Sequence, residues 1–280
     1  MLVVKAGGNV GLDIQAVCTD IVEIVRRGEQ VVLAHGGSHE VDVVSEKLGH
    51  PPRYVTSVSG YVSRYTDRET LDIFVMVAAG RVNKALVERL QQMGINAIGL
   101  SGLDGRLLEG QRKPALRIIE NGKRKVLRGD HSGKIERVNQ SLLRTLLDGG
   151  YVPVVAPVAI GADGQALNVD GDRVAAAISV ALKANTLIIL SNVPGLLRHF
   201  PDESSLIWHI SLEHAEMHLE KYAQGRMKKK MLGAIEALHQ GVGRVVLADG
   251  RVEKPVQRAL AGAGTAIGGR TQDVILAPGT

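Results

Sequence analysis

Aromatic residues make up 3% of this 280-residue sequence, and cysteine occurs once. A module that stacks nucleic-acid bases needs aromatic platforms, so the scarcity disfavours that class. A single cysteine cannot form an internal disulfide, which suits a reducing compartment, and Cys18 falls on the apolar face of an expected helix, where it reads as core. No apolar run approaches the roughly 20 residues that cross a bilayer. Leu2-Val3-Val4 follows Met1 with no basic segment ahead of it, so no secretion signal is expected. These features point to a cytoplasmic protein. Also missing are the phosphate-binding pattern G-x-x-x-x-G-K-S/T and a G-x-G-x-x-G between a strand and a helix. A serine nucleophile elbow and a clustered Cys/His zinc pattern are absent too. His35 and His39 lack a third ligand of suitable placement, so no metal site is expected there.

What is present is aliphatic: hydrophobic residues are 45% of the chain, chiefly Val, Leu, Ile and Ala, which suits parallel strands buried on both faces. Leu2–Lys5 and Gln30–His35 read as short strands. Between them, Ile14, Val17, Cys18, Ile21, Val22 and Val25 recur at helical spacing until Gly28. Further helices are expected at about 39–48, from Thr66 or Asp67 to Met93 with Glu69 as a capping-box partner, and at about 138–148, 172–183, 211–222, 226–240 and 254–261. Strands are expected at 95–100, 151–155, 186–191 and 244–248, and a loop over 50–66. This alternation predicts an α/β sandwich around a mainly parallel sheet, with no linker dividing it.

Charge is uneven. Of the formal net charge of +5, residues 106–137 supply ten Lys/Arg against four acids, so the rest of the chain is slightly acidic. Ala115–Arg128 reads as the clear hairpin, with Asn121-Gly122 as its type I′ turn, and is expected to protrude as a two-stranded basic arm. Such a field attracts an acidic partner, although a merely solvated hairpin would look the same.

Four segments could do chemistry. Lys5 ends the first strand and leads into Gly7-Gly8, where backbone N–H groups can approach a phosphate without a Cβ in the way. Gly36-Gly37 follows the second strand and opens a helix, a place that favours an anionic ligand. Asn168-Val169-Asp170-Gly171-Asp172 precedes an apolar helix; its polar groups read either as caps or as a substrate contact (Asn168) and a lysine anchor (Asp172). Gly225-Arg226-Met227-Lys228-Lys229-Lys230 opens a helix with cations, against its macrodipole, which makes sense where an anion sits nearby.

In this order the motifs VVKAGG (3–8), AHGGS (34–38), SRYTDRET (63–70), LNVDGD (167–172), LSNVPGLL (190–197) and GRMKKK (225–230) resemble the amino-acid kinase family, in its N-acetylglutamate kinase branch. The resemblance implies an open, eight-stranded α/β/α sandwich. Its N-terminal lobe (1–171) would bind substrate and form the dimer, and its C-terminal lobe (172–280) would bind nucleotide. Within the branch the chain is most similar to the carrier-dependent kinases of lysine biosynthesis. The likeness lies in VSGYVSRYTDRET (58–70), AIGLSGLDGRL (97–107) and the arm RIIENGKRKVLRGD (117–130). Those kinases use ATP with Mg2+ to phosphorylate the side-chain carboxylate of 2-aminoadipate borne by a small acidic protein, LysW. Val62-Ser63-Arg64-Tyr65-Thr66 and Gly36-Gly37-Ser38 depart from the usual N-acetylglutamate kinase runs, although that activity, or use of carrier-bound glutamate, is the alternative.

Carried onto this chain, Lys5 and Lys230 would stabilise the transferring phosphoryl group with the Gly8 N–H, and Asp172 would orient both lysines. Gly36, Gly37, Arg64 and Asn168 would hold the acyl acceptor. ATP would lie on Asn192, Val193, Pro194, Gly195, Leu196 and Leu197, and on Gly225, Arg226, Met227, Lys228 and Lys230. Lys123, Arg124 and Lys125 would dock the carrier. Arginine-inhibited relatives carry a helix before the first strand; here that strand starts at Leu2, so an arginine-insensitive homodimer is expected.

Overall fold

A computed structural model of the chain describes residues 1–8, 10–58 and 60–269. Its centre is set by Leu2–Ala6, a strand buried at every position. Side chains alternate between the faces of a strand, so Leu2, Val4 and Ala6 join one core with Val17, Ile21, Leu90 and Val256. Val3 joins the opposite core with Val174, Ile178 and Met231. Lys5 therefore shares the Val3 face, toward the helices that begin at Gly171 and Gly225.

The sheet has eight strands in the order His209–Ile210, Thr265–Gly268, Arg244–Asp249, Thr186–Ser191, Leu2–Ala6, Val31–His35, Val152–Val155, Ala97–Leu100. All neighbours run parallel except Thr265–Gly268, which lies antiparallel to Arg244–Asp249. Helices Ile14–Arg26, Asn83–Gln92 and Pro255–Leu260 cover one face. Gln140–Asp148, Gly171–Leu182 and Gly225–His239 cover the other. This is the three-layer α/β/α architecture expected from the alternation and the resemblance.

Two smaller sheets are built from residues 54–168. One is ordered Ala166–Asn168, Val158–Ile160, Leu108–Arg112, Gly133–Val138, and the other Val62–Arg64, Tyr54–Ser57, Leu116–Glu120, Lys123–Leu127. They correct two expectations. Residues 50–66 are not simply a loop: Tyr54–Ser57 and Val62–Arg64 pair as a hairpin. The basic hairpin is not a free two-stranded arm either, because Thr56 and Ser57 pair with Ile119 and Ile118 and make it half of a four-stranded sheet. A two-stranded ribbon is marginal in water, and the added strands with the buried Ile118 give it support. The turn itself is as expected, with positive φ at Asn121 (52°) and Gly122 (72°).

The long helix after Thr66 runs from Arg68 to Gln92, with a π-helical stretch at Met76–Val82. Asp67 is its cap, accepting from the Thr70 N–H at 2.8 Å. Glu69 is no partner of Thr66; it lies 3.4 Å from His50, while Thr66 is buried and turned toward Asn168.

Candidate active site

The C-terminal ends of Leu2–Ala6 and Val31–His35 deliver two glycine turns to one point. The Gly36 N–H donates to the Ala6 carbonyl at 3.0 Å, and the His39 N–H donates to the Gly8 carbonyl at 3.1 Å. A Cβ on Gly8 would fall 2.2 Å from the Gly37 nitrogen, and one on Gly36 would fall 2.6 Å from the Gly8 nitrogen. Only glycine permits this approach. Behind the turns, His35 is buried. Its Nδ1 bonds the Gly36 carbonyl at 2.7 Å, and its Nε2 meets the Asn83 amide nitrogen at 3.0 Å. Burial pushes its pKa down to about 4, with the Lys5 charge helping and the Gly36 carbonyl opposing. A neutral ring with Nδ1–H donating and Nε2 accepting satisfies both bonds. His35 therefore braces the glycine turn. Among the described residues no three His, Cys, Asp or Glu come together as a metal site.

At the floor of the cleft, Lys5 Nζ lies 2.8 Å from Asp172 Oδ1 and Lys230 Nζ lies 2.9 Å from Asp172 Oδ2. Asp172 stands in the first turn of Gly171–Leu182, where the helix dipole favours a carboxylate, and Asp170 caps that turn by accepting from the Asp172 N–H at 2.9 Å. Both readings of Asn168–Asp172 are thus partly realised: Asp170 caps, and Asp172 anchors lysines. Burial would raise the Asp172 carboxyl, but the Lys230 and Lys5 ammonium groups outweigh it and hold it well below the carboxylate range. Burial and the like charge of Lys5 lower Lys230, against the pull of Asp172. Two ammonium groups against one carboxylate leave the buried floor with a net positive charge.

Above that floor opens a cleft of about 710 Å³. On one side lie Gly36, Gly37, Arg64 and Asn168. Arg64 is nearly buried, pairs with Asp42, donates to the Ser38 carbonyl at 3.1 Å and stacks 5.2 Å from the Tyr54 ring centre. Asn168 donates to Thr66 Oγ1 at 2.9 Å. The Thr66 N–H in turn donates to the buried Asp130 at 2.9 Å, and Asp130 also accepts from the Ser132 N–H at 3.0 Å. One carboxylate thus ties the base of the basic hairpin to Thr66, which in turn accepts from Asn168.

On the other side lie Asn192, Val193, Gly195, Leu196, Leu197, Gly225, Arg226 and Met227. Gly195 passes over Thr265, whose Oγ1 a Cβ there would meet at 2.5 Å and whose hydroxyl accepts from the Leu196 N–H at 2.8 Å. Lys5, Gly8, Asp172 and Lys230 join the two sides. Two expected nucleotide residues fall elsewhere: Pro194 does not line this cleft, and Lys228, one residue out of phase with the inward face, is exposed. Lys123, Arg124 and Lys125 are exposed on the edge strand Lys123–Leu127, outside the cleft, and Lys125 pairs with Glu120. Lys113, Ser132, Tyr54, Phe200 and Tyr222 also line the cleft, and nothing in the local sequence singled them out.

The sequence matches the amino acid kinase family across residues 1–249. It is 58% identical over 267 residues to the LysW-aminoadipate kinase of Deinococcus radiodurans, covering 95% of this chain and 91% of that one. It is 53% identical over 268 residues to the LysW-aminoadipate kinase of Thermus thermophilus, covering 95% of this chain and 100% of that one. The LysW-aminoadipate/LysW-glutamate kinase of Saccharolobus solfataricus is 37% identical over 269 residues, 95% of this chain and 99% of its own. In structure, N-acetylglutamate synthase from Neisseria gonorrhoeae superposes with a TM-score of 0.76 at 24% identity; the match takes 96% of this chain but 59% of the synthase. Giardia carbamate kinase superposes at 0.65 with 16% identity, over 96% of this chain and 98% of that one. With the family match running from the first strand through Asp249, and the lysine–aspartate–lysine floor and paired glycine turns inside it, this chain belongs to the amino acid kinase family.

Proposed function

We propose that this chain transfers the γ-phosphoryl group of ATP to the side-chain carboxylate of 2-aminoadipate carried on a small acidic protein of the LysW kind, giving an acyl phosphate and ADP. The observation that supports it most directly is the Lys5–Asp172–Lys230 floor, positive and buried between the two sides of the cleft. A carboxylate oxygen attacks the γ-phosphorus, and the bond from that phosphorus to the β-bridging oxygen breaks. The attacking group is already ionised at neutral pH, so no general base is needed. The task is alignment and neutralisation of charge on the equatorial oxygens. Lys5, from a strand, and Lys230, from a helix, meet that charge, with the Gly8 N–H beside them, and Asp172 keeps the two ammonium groups apart and aimed.

In this reading residues 1–171 hold the acyl acceptor, through Gly36, Gly37, Arg64 and Asn168, and residues 172–280 hold the nucleotide. Both oxygens of Asp172 are engaged by lysines, so Mg2+ would enter on the phosphates of ATP rather than in a protein cage. There it would offset phosphate charge. The three kinases 37–58% identical to this chain are named for LysW-borne substrates, and the basic sheet around Lys123, Arg124 and Lys125 suits an acidic carrier. A homodimer formed through the N-terminal lobe completes the proposal, and light scattering with and without arginine tests it.

A hydroxamate assay with ATP decides among substrates. Carrier-linked aminoadipate is expected to react faster than carrier-linked glutamate and far faster than free N-acetylglutamate. The reverse order would sink the reading.

A further inference from the structure

Three lysines in sequence near a helix start are electrostatically out of place, because the N-terminal end of a helix is its positive end. In Gly225–His239, Lys230 is accounted for by Asp172, and Lys228 points outward. Lys229 does something else. It lines the cleft and reaches across it, its Nζ donating to the Val62 carbonyl at 3.1 Å and standing 5.6 Å from the centre of the Tyr61 ring. A carbonyl oxygen and an aromatic face are both partners for an ammonium group, so the bond offsets the unfavourable dipole.

The two ends of this bridge are not neutral scaffolding. At one end, Gly225, Arg226 and Met227 form the first turn of the same helix and line the nucleotide side. At the other, Val62 belongs to the three-residue strand Val62–Arg64 that presents Arg64 to the acceptor side. That strand is held elsewhere by three groups: Asp42 and the Ser38 carbonyl on Arg64, and the pairing with Tyr54–Ser57.

We infer that Lys229 is a positioning residue that couples the two substrates, fixing the Arg64 strand to the helix turn that seats the nucleotide. The inference rests on the proposed assignment of the two sides of the cleft. A nucleotide that orders the first turn of Gly225–His239 also sets Lys229, and through Val62 it sets the backbone next to Arg64. Linkage makes the effect reciprocal: the acceptor must tighten nucleotide binding by the same factor.

Calorimetry on the whole protein tests this with a non-hydrolysable ATP analogue and carrier-linked aminoadipate, each titrated alone and in the presence of the other. The wild type is expected to bind each ligand at least about fivefold tighter when the other is present. Lys229→Met keeps the aliphatic stem and removes the donor; it should bind each ligand alone within about threefold of wild type while the coupling factor falls toward one. Lys229→Arg should restore much of the coupling. A merely structural lysine would instead weaken both ligands singly and leave their ratio intact. Wild-type coupling in Lys229→Met, or no coupling in the wild type, overturns the inference. If carrier-linked aminoadipate fails to bind but another acyl acceptor does, the substrate assignment falls, and the same cycle run with that acceptor still decides the role of Lys229.

Discussion

Lys5 and Lys230 each lose part of their ordinary solvation to sit against Asp172, and that arrangement is what a single substitution would expose. Lys5→Ala or Lys230→Ala should each lower kcat on the order of 100-fold or more with a smaller change in KM, because the lost partner is a partner of transition-state charge. Steady-state kinetics check this, and near-wild-type turnover in either variant removes that lysine from the mechanism. His35 gives a prediction about pH. Its folded pKa, about 4, lies below the unfolded value of 6.5, so the folded state binds fewer protons between those values. Stability is then fully present above about pH 6.5 and declines as pH falls toward 4. Melting temperatures from pH 7.5 to 4 should decline in the wild type. His35→Gln should be less stable at neutral pH yet show a flatter decline. The role of these residues was differently legible. Lys5, the glycines and Asp172 stand out because strand–glycine and helix-start patterns are local; the bracing role of His35 is not legible there, because it is defined by Asn83, 48 positions away.

At the scale of elements, Pro255–Leu260 has Lys254 before it, in the left-handed conformation and without a side-chain cap. The cap comes from another helix: the buried Asp20 accepts from the Val256 N–H at 2.7 Å, the Gln257 N–H at 3.0 Å and the Gln257 side chain at 2.9 Å. Asp20→Ala should cost about 1–3 kcal/mol and leave kcat close to wild type, as denaturant melts and kinetics would show. No sequence window contains both partners, so the helix is legible in the sequence and its fastening is not. The same contrast runs through the strands. The Asn121-Gly122 turn announces its hairpin within four residues. Leu108–Arg112 and Gly133–Val138 pair across more than 20 residues, and their polar, exposed positions blur the alternation that would reveal them. Tyr54–Ser57 and Val62–Arg64 were concealed by proline, serine and glycine around them.

At the scale of the whole molecule, the proposed docking of an acidic carrier on the basic sheet has a collective electrostatic signature. Exposed ion pairs contribute at most about 1 kcal/mol each, and Glu120 already answers Lys125, so the effect is collective. Reversing Lys123, Arg124 and Lys125 together to Glu should raise KM for the carrier-linked substrate more than about tenfold while the KM for ATP stays nearly constant. Added salt should raise the wild-type carrier KM, since such attraction is screened over about 8–10 Å at physiological ionic strength. If both treatments leave use of the carrier unchanged, this sheet is not its dock.

The strand Leu2–Ala6 is bonded on one side to Val31–His35 and on the other to Thr186–Ser191, so it is the seam at which the two halves of the great sheet meet. Lys5 rides on that seam, with buried residues on either hand. Amides in such a strand open only when the whole sheet does, and should be among the slowest to exchange with deuterium. Heat should therefore silence the enzyme and melt it at one temperature, with no inactive but folded interval between.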